Sequence, residues 1–140
     1  MTVTIVGTWE ISWNTPIKEV EQWQYPLMDY GVDKFYMAPV SGIRNSAVTE
    51  VHDMGELLNQ LRAENKTIVF VDENGTETLE EFIHPENAVY VFGKASLSPL
   101  IAYNQPGDIS LKIMTPNNLA TLWPHQAAVL ILDDRWKKNR

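Results

Sequence analysis

Short β-branched runs that end at glycine, proline or aspartate alternate along this chain with stretches whose apolar residues recur every three or four positions. An uninterrupted apolar run of strand length is a strand buried on both faces, and a 3.6-residue recurrence is a helix with one buried stripe. Thr2–Thr8, Lys34–Pro39, Thr67–Val71, Ala88–Phe92 and Ile109–Ile113 read as strands. Between them, Thr15 can cap a helix with Pro16 in its first turn, and Ile17, Val20, Trp23, Leu27 and Met28 follow at helical spacing. Pro26 is expected to kink or shorten this helix, and Gly31 to end it. Asp53 caps a second helix running to about Asn65, Leu79–Ile83 reads as a short helix, and Pro124 opens a last helix reaching Trp136. Ser41–Val51 shows no clear period.

This alternation predicts an α/β fold: one domain over residues 1–140, with a mostly parallel five- or six-stranded sheet and helices on both faces. In such sheets ligands sit beyond the carboxyl ends of the strands. Three loops fall there: Ala38–Gly42, Gly93–Gly107 and Met114–Thr121.

Composition narrows the function classes. At 140 residues and 44% hydrophobic content the chain has enough apolar mass for a full core. No run approaches the roughly 20 apolar residues of a membrane span, so no membrane partner is expected. The start, Met1-Thr2-Val3-Thr4-Ile5-Val6, lacks the pattern of a signal peptide. With no cysteine, disulfides and thiolate zinc sites are excluded, and a cytoplasmic location is the expectation. The net charge of −7 argues against a general nucleic-acid coat, which binds through clustered cations. Arg135, Lys137, Lys138 and Arg140 do crowd the C-terminus, either as a local basic patch or as cations suited to a helix end.

Neither G-x-G-x-x-G nor G-x-x-x-x-G-K-[ST] occurs, so binding through nucleotide phosphates is not indicated. Ser96 and Ser98 lack a G-x-S-x-G context. His52, His84 and His125 have no metal-type spacing, and no metal is expected. His125 opens the last helix beside a ligand loop; it reads either as a substrate contact or as a hydrogen-bonded residue of the first turn. The acids Asp72, Glu73, Glu77, Glu80 and Glu81 read either as a carboxylate site or as a solvated turn and helix start, which acids suit. Trp123, just before Pro124, reads either as a ligand or subunit contact or as core. Gly93, where a buried strand opens into a loop of small residues, suits a ligand approached closely by the backbone.

Three segments together resemble a known family. Tyr30-Gly31-Val32-Asp33-Lys34-Phe35-Tyr36-Met37-Ala38-Pro39 resembles an F-G-V-D entry to a second strand. Val91-Phe92-Gly93 resembles a strand ending in F-G before a cofactor loop. Lys112-Ile113-Met114-Thr115, then Thr121-Leu122-Trp123 and an Ala-containing helix, resembles a strand, a loop and an S-L-N segment. Their order is similar to the SPOUT superfamily of α/β-knot methyltransferases, in its ribose 2′-O-methylating branch. The resemblance implies a C-terminal trefoil knot, an exception to the rule that chains are unknotted. It also implies an RNA substrate and a homodimer with the knot helices at its interface. S-adenosylmethionine would be held by Ala38, Pro39, Phe92, Gly93, Lys94, Ile113, Met114 and Leu122, with its adenine on backbone groups around Ile113, Met114 and Leu122. Asn14, Arg44 and His125 are the substrate-side candidates, Arg44 reading otherwise as a solvent-exposed loop arginine.

The chain departs from this pattern on the substrate side. The family Arg of the first helix falls near Gln24 or Tyr25, its Glu at Ala95, its Asn at Trp123 and its Ser at Thr121. Two readings follow: a divergent S-adenosylmethionine-dependent RNA methyltransferase, or a catalytically degenerate knotted dimer that binds or regulates. An unknotted flavodoxin-like module is the third.

Overall fold

The computed structural model describes residues 1–10, 15–94, 96–118 and 122–140. In chain order the elements are β1 (Thr2–Thr8), α1 (Pro16–Asp29), β2 (Lys34–Ala38), β3 (Thr49–Glu50), α2 (Met54–Ala63), β4 (Thr67–Val71), β5 (Glu77–Thr78), a 3-10 turn (Leu79–Glu81), β6 (Asn87–Phe92), α3 (Pro99–Tyr103), β7 (Ile109–Lys112) and α4 (Pro124–Asn139). The strands form one seven-stranded sheet in the order β3-β2-β1-β6-β4-β7-β5. Every neighbouring pair is parallel.

The sheet therefore has seven strands, where five or six were expected, and is wholly parallel. The two additional strands are the edges β3 and β5, each two residues long. Two residues carry no period, so no pattern marks them; register with the neighbouring strand makes them strands. Pro26 does not shorten α1, which continues through it to Asp29. Proline removes one hydrogen bond, and the buried Val20, Trp23 and Leu27 hold both flanks of the gap. Thr15 caps α1 as expected, accepting from the Lys18 N–H, and Asp53 caps α2, accepting from the Glu56 N–H.

Side chains alternate across the central strands, so one sequence fills two cores. Ile5, Val69, Tyr90 and Phe92 face α1 and α4, with Val20, Trp23, Leu27, Ala128 and Ile131. Val6, Ile68, Phe70, Val89 and Val91 face α2, with Leu57, Leu58 and Leu61, and Leu100 and Tyr103 of α3 pack beside them. The chain builds β1, β2 and β3 towards one edge, then returns to lay β4 on the other side of β6. A right-handed crossover that reverses direction must change face. That reversal puts α1 and α2 on opposite sides and makes β1/β6 the switch point of the sheet.

The cations at the C-terminus are used inside the molecule. Arg135, 5% exposed, donates to the Pro85 and Glu86 carbonyls and to Tyr90 Oη. Lys138 donates to the Leu79, Glu80 and Phe82 carbonyls, Lys137 pairs with Asp133, and Arg140 lies over the Trp136 ring.

Tyr90, His84 and Asp134 extend this network. His84 Nδ1 lies 2.6 Å from Tyr90 Oη and Nε2 lies 2.7 Å from Asp134 Oδ2. A carboxylate only accepts, so Nε2 carries the proton; a neutral ring then accepts the Tyr90 hydroxyl at Nδ1, and Tyr90 accepts from Arg135. Although His84 and Asp134 have ion-pair geometry, burial holds the imidazole below its ordinary value of 6.5, with Asp134 opposing and Arg135 and Lys138 assisting. A folded-state value below the unfolded one means that the unfolded chain binds the proton first. Stability is therefore expected to be full above 6.5 and to fall as pH drops below it. Urea midpoints between about pH 7.5 and pH 5.5 measure this, and His84→Phe, which cannot titrate, should flatten the slope.

Candidate functional site

A cavity of about 860 Å³ opens beyond the carboxyl ends of β4, β6 and β7. Its floor is Phe92 and Gly93, at the end of β6. One wall is the turn after β4, Asp72 to Asn74; another is Lys112, Ile113, Thr115 and Asn118 after β7. Leu122, Trp123, Pro124 and Ala127 close it from the start of α4, and Glu10 borders it from the end of β1. The parallel sheet brings these segments together, because every strand delivers its carboxyl end to the same side.

The loop after β6 is tightly built. The Lys94 N–H donates to the Leu97 carbonyl and the Leu97 N–H to the Lys94 carbonyl, both at 3.0 Å. Ser98 then caps α3 and donates its hydroxyl to Asp72 Oδ2 at 2.6 Å. A Cβ on Gly93 would lie 2.4 Å from the Leu97 carbonyl oxygen and 2.5 Å from Pro99 Cδ. Gly93, expected to let a ligand approach the backbone closely, thus also lets the chain's own loop pack against it, and it lines the cavity. Gly75 has a similar role that the sequence did not reveal: its Cβ would meet the Leu111 backbone at 2.5 Å, so only glycine lets the β4–β5 turn lie against β7.

Of the residues singled out above, Phe92, Gly93, Lys94, Ile113 and Leu122 line the cavity, and Met114, Ala38, Pro39, Arg44 and His125 do not. Ala38 is buried at the end of β2, and its carbonyl accepts from the Trp9 N–H. Strand β1 lies between β2 and β6, so β2 ends two strand spacings, about 10 Å, from the cavity floor. Pro39 and Arg44 are exposed on the loop that follows. That loop is gathered around Glu50, whose carboxylate accepts from the Ser41 N–H and hydroxyl, the Gly42 N–H and Trp9 Nε1. Partial burial pushes Glu50 up, but these donors outweigh it and hold its carboxyl below the ordinary value. Met114 points to solvent, 46% exposed. His125 sits edge-on to Trp23, and burial lowers its pKa. Asn14 lies outside the described residues, as do Ala95 and Thr121.

Sequence reasoning missed Glu10, the Asp72–Asn74 turn as a wall and Lys112 as a wall residue, whereas it did place the small residues of the β6 loop at the ligand. The charges in the wall are Glu10, Asp72, Glu73, Lys94 and Lys112, and the apolar part includes Ile101, Ile113, Leu122 and Trp123. Its volume and mixed lining suit one organic ligand with a flat apolar part and a charged part. No group of acidic or histidine side chains among the described residues is placed to hold a metal ion. No helix among them is long and apolar enough to cross a membrane.

No family model matches the chain, and no curated protein matches it. Solved structures do share its fold. The SpoU methyltransferase AviRb from Streptomyces viridochromogenes, in complex with the cofactor AdoMet, superposes with a TM-score of 0.78 at 13% identity, over 99% of this chain and 58% of that one. The A. aeolicus TrmH/SpoU tRNA modifying enzyme gives 0.72 at 14% identity, over 99% of this chain and 74% of that one. A structure concerned with the 2-OH methylation of C/U34 on tRNA gives 0.77 at 14% identity, over 99% of this chain and 98% of that one. The chain thus has the SpoU/TrmH-type α/β fold and spans 58% of the AviRb chain.

Proposed function

We propose that this chain is a divergent S-adenosylmethionine-dependent RNA methyltransferase of the SPOUT superfamily, in the ribose 2′-O-methylating branch, and that residues 1–140 form one domain with a C-terminal trefoil knot. The observation that carries the reading is the cavity at the carboxyl ends of β4, β6 and β7, in a fold shared with a methyltransferase solved with AdoMet. The residues present fit such a cofactor. Ile101, Ile113, Leu122 and Trp123 offer an apolar wall for an adenine, the loops after β6 and β7 offer backbone groups, and Lys94 and Lys112 suit its carboxylate. Bound there, the cofactor supplies an electrophilic methyl group; the chain's own residues orient it, exclude water and handle the acceptor's proton.

A homodimer belongs to the same proposal. Helices α1 and α4 pack on one face of the sheet and still carry the exposed apolar residues Ile17, Tyr25, Met28 and Leu130. A second copy would cover them.

Calorimetry with S-adenosylmethionine and S-adenosylhomocysteine is expected to show one site per chain, and sedimentation a dimer at micromolar concentration. No binding of either molecule at millimolar concentration would overturn the cofactor reading, and a monomer would overturn the dimer. A second reading, a degenerate knotted dimer that binds without catalysis, is favoured by one observation: α1 contains no arginine, and Trp123 borders the cavity where the family places an asparagine. Methyl transfer to total tRNA separates the two.

A further inference from the structure

We propose that Glu10, held in place by Glu19, is the residue that accepts the proton of the methyl acceptor. This rests on the methyl-transfer reading. Glu10 follows β1 at the switch point of the sheet, half-buried in the cavity wall that also contains Gly93 and Lys94. Its backbone is fixed on several sides. The adjoining Trp9, 1% exposed, donates its N–H to the Ala38 carbonyl and its indole N–H to Glu50. Thr8 donates its hydroxyl to the Phe92 carbonyl, and the Glu10 N–H donates to Glu19 Oε2 at 2.9 Å.

Glu19 is the unusual partner. It is a carboxyl group on α1, 3% exposed, and its Oε1 has no hydrogen-bond partner. A buried carboxyl with an unsatisfied oxygen costs stability and calls for a reason. Burial raises its pKa; the bond from the Glu10 backbone opposes this, the charge of Glu10 adds to it, and the charge of Lys94 lowers it. Glu10 and Lys94, both in the cavity wall, thus act on Glu19 in opposite directions.

The other acids of the cavity stand on the turn after β4, away from the β1/β6 switch point. Asp72 accepts from the Ser98 hydroxyl and the Asn74 N–H, which fixes the β4 turn to α3, and Glu73 stands exposed on that turn. His125 does not line the cavity. Among the described residues, Glu10 is therefore the cavity carboxylate placed at the switch point.

As the acceptor oxygen bonds to the methyl carbon, the carbon–sulfur electron pair stays on sulfur, the O–H proton passes to the Glu10 carboxylate, and water later removes it. Glu10 is the catalytic residue, and Glu19 positions it.

The test uses single-turnover transfer of labelled methyl from S-adenosylmethionine to total tRNA, calorimetry, and carbon NMR of the glutamate carboxyls. Glu10→Gln is expected to lower the transfer rate about 100-fold while S-adenosylhomocysteine binds within about twofold of wild type. The NMR titration of Glu19 should move down in Glu10→Gln, because one of the charges raising it is gone. Glu19→Ala should lower transfer about tenfold, and Glu19→Gln, which still accepts the Glu10 N–H, should recover most of that loss. A Glu10→Gln rate within about threefold of wild type, or an unmoved Glu19 titration, overturns the proposal alone. So does weakened binding of S-adenosylmethionine without weakened S-adenosylhomocysteine, which would make Glu10 a partner of the sulfonium charge instead. A wild type that binds neither molecule overturns the cofactor reading and this proposal with it; one that binds without transferring methyl overturns the proton role and leaves the binding-module reading.

Discussion

Replacing Arg135 with alanine is expected to lower the unfolding free energy by about 3–5 kcal/mol, the cost of breaking a buried charged network from one side. The guanidinium donates to the Pro85 carbonyl at 2.7 Å, the Glu86 carbonyl at 3.0 Å and Tyr90 Oη at 3.1 Å. Without it, the buried Tyr90 hydroxyl loses its donor, at a cost of about 1–3 kcal/mol, and the part-buried Pro85 and Glu86 carbonyls lose theirs. The Tyr90–His84–Asp134 chain loses its first link, and α4 loses one of its ties to the turn that feeds β6, those of Asp134 and Lys138 remaining. Arg135→Lys should recover less than half of the loss, since a single ammonium cannot span acceptors arranged for a planar fork. Urea denaturation at neutral pH measures both variants. On the proposed function, S-adenosylhomocysteine affinity should fall less than stability, because the cavity lies at the other end of α4, at Pro124 and Ala127.

Gly93→Ala is expected to damage stability and ligand binding together. A Cβ 2.4 Å from the Leu97 carbonyl and 2.5 Å from the Pro99 ring meets atoms that cannot rotate away. The loop must open, at about 3 kcal/mol for such overpacking. Lys94, Ser96, Leu97 and Ser98 belong to the cavity wall, so S-adenosylhomocysteine affinity should fall by at least about tenfold. Gly7→Ala makes the contrast: its Cβ would meet Met37 Sδ at 2.5 Å, the far part of a flexible side chain, and a milder loss is expected. Equal effects of the two substitutions would show that the β6 loop is not the rigid element described here.

The long elements were legible because their residues repeat. The strands at β1, β2, β4, β6 and β7 and the helices α1, α2 and α4 all fall where periodicity and capping residues place them. Edges β3 and β5 and the five-residue α3 were not, since so few residues show no period and form only where neighbouring strands or Asp72 receive them. Of the site, the loops after β6 and β7 were legible from their position behind apolar strands. The first loop was placed at the ligand with them, yet β1 intervenes between β2 and β6. Periodicity identifies strands but contains no information on their order.

Glu10 and Glu19 illustrate the same limit. In sequence one is an acid after a strand and the other an acid in the first turn of a helix, both ordinary places for a solvated carboxylate. Folding buries Glu19 to 3% exposure and turns it back onto the Glu10 backbone. Local chemistry, which acts between residues a few positions apart, sufficed to specify the strands, the helix caps at Thr15 and Asp53 and the α/β class. The strand order arises from contacts between residues far apart in the chain, whose energies exist only once the sheet has closed around its two cores, and the shorter-range contacts of Gly93 with Leu97 and Pro99 and of Glu10 with Glu19 form only when the β6 loop and α1 are seated on that sheet.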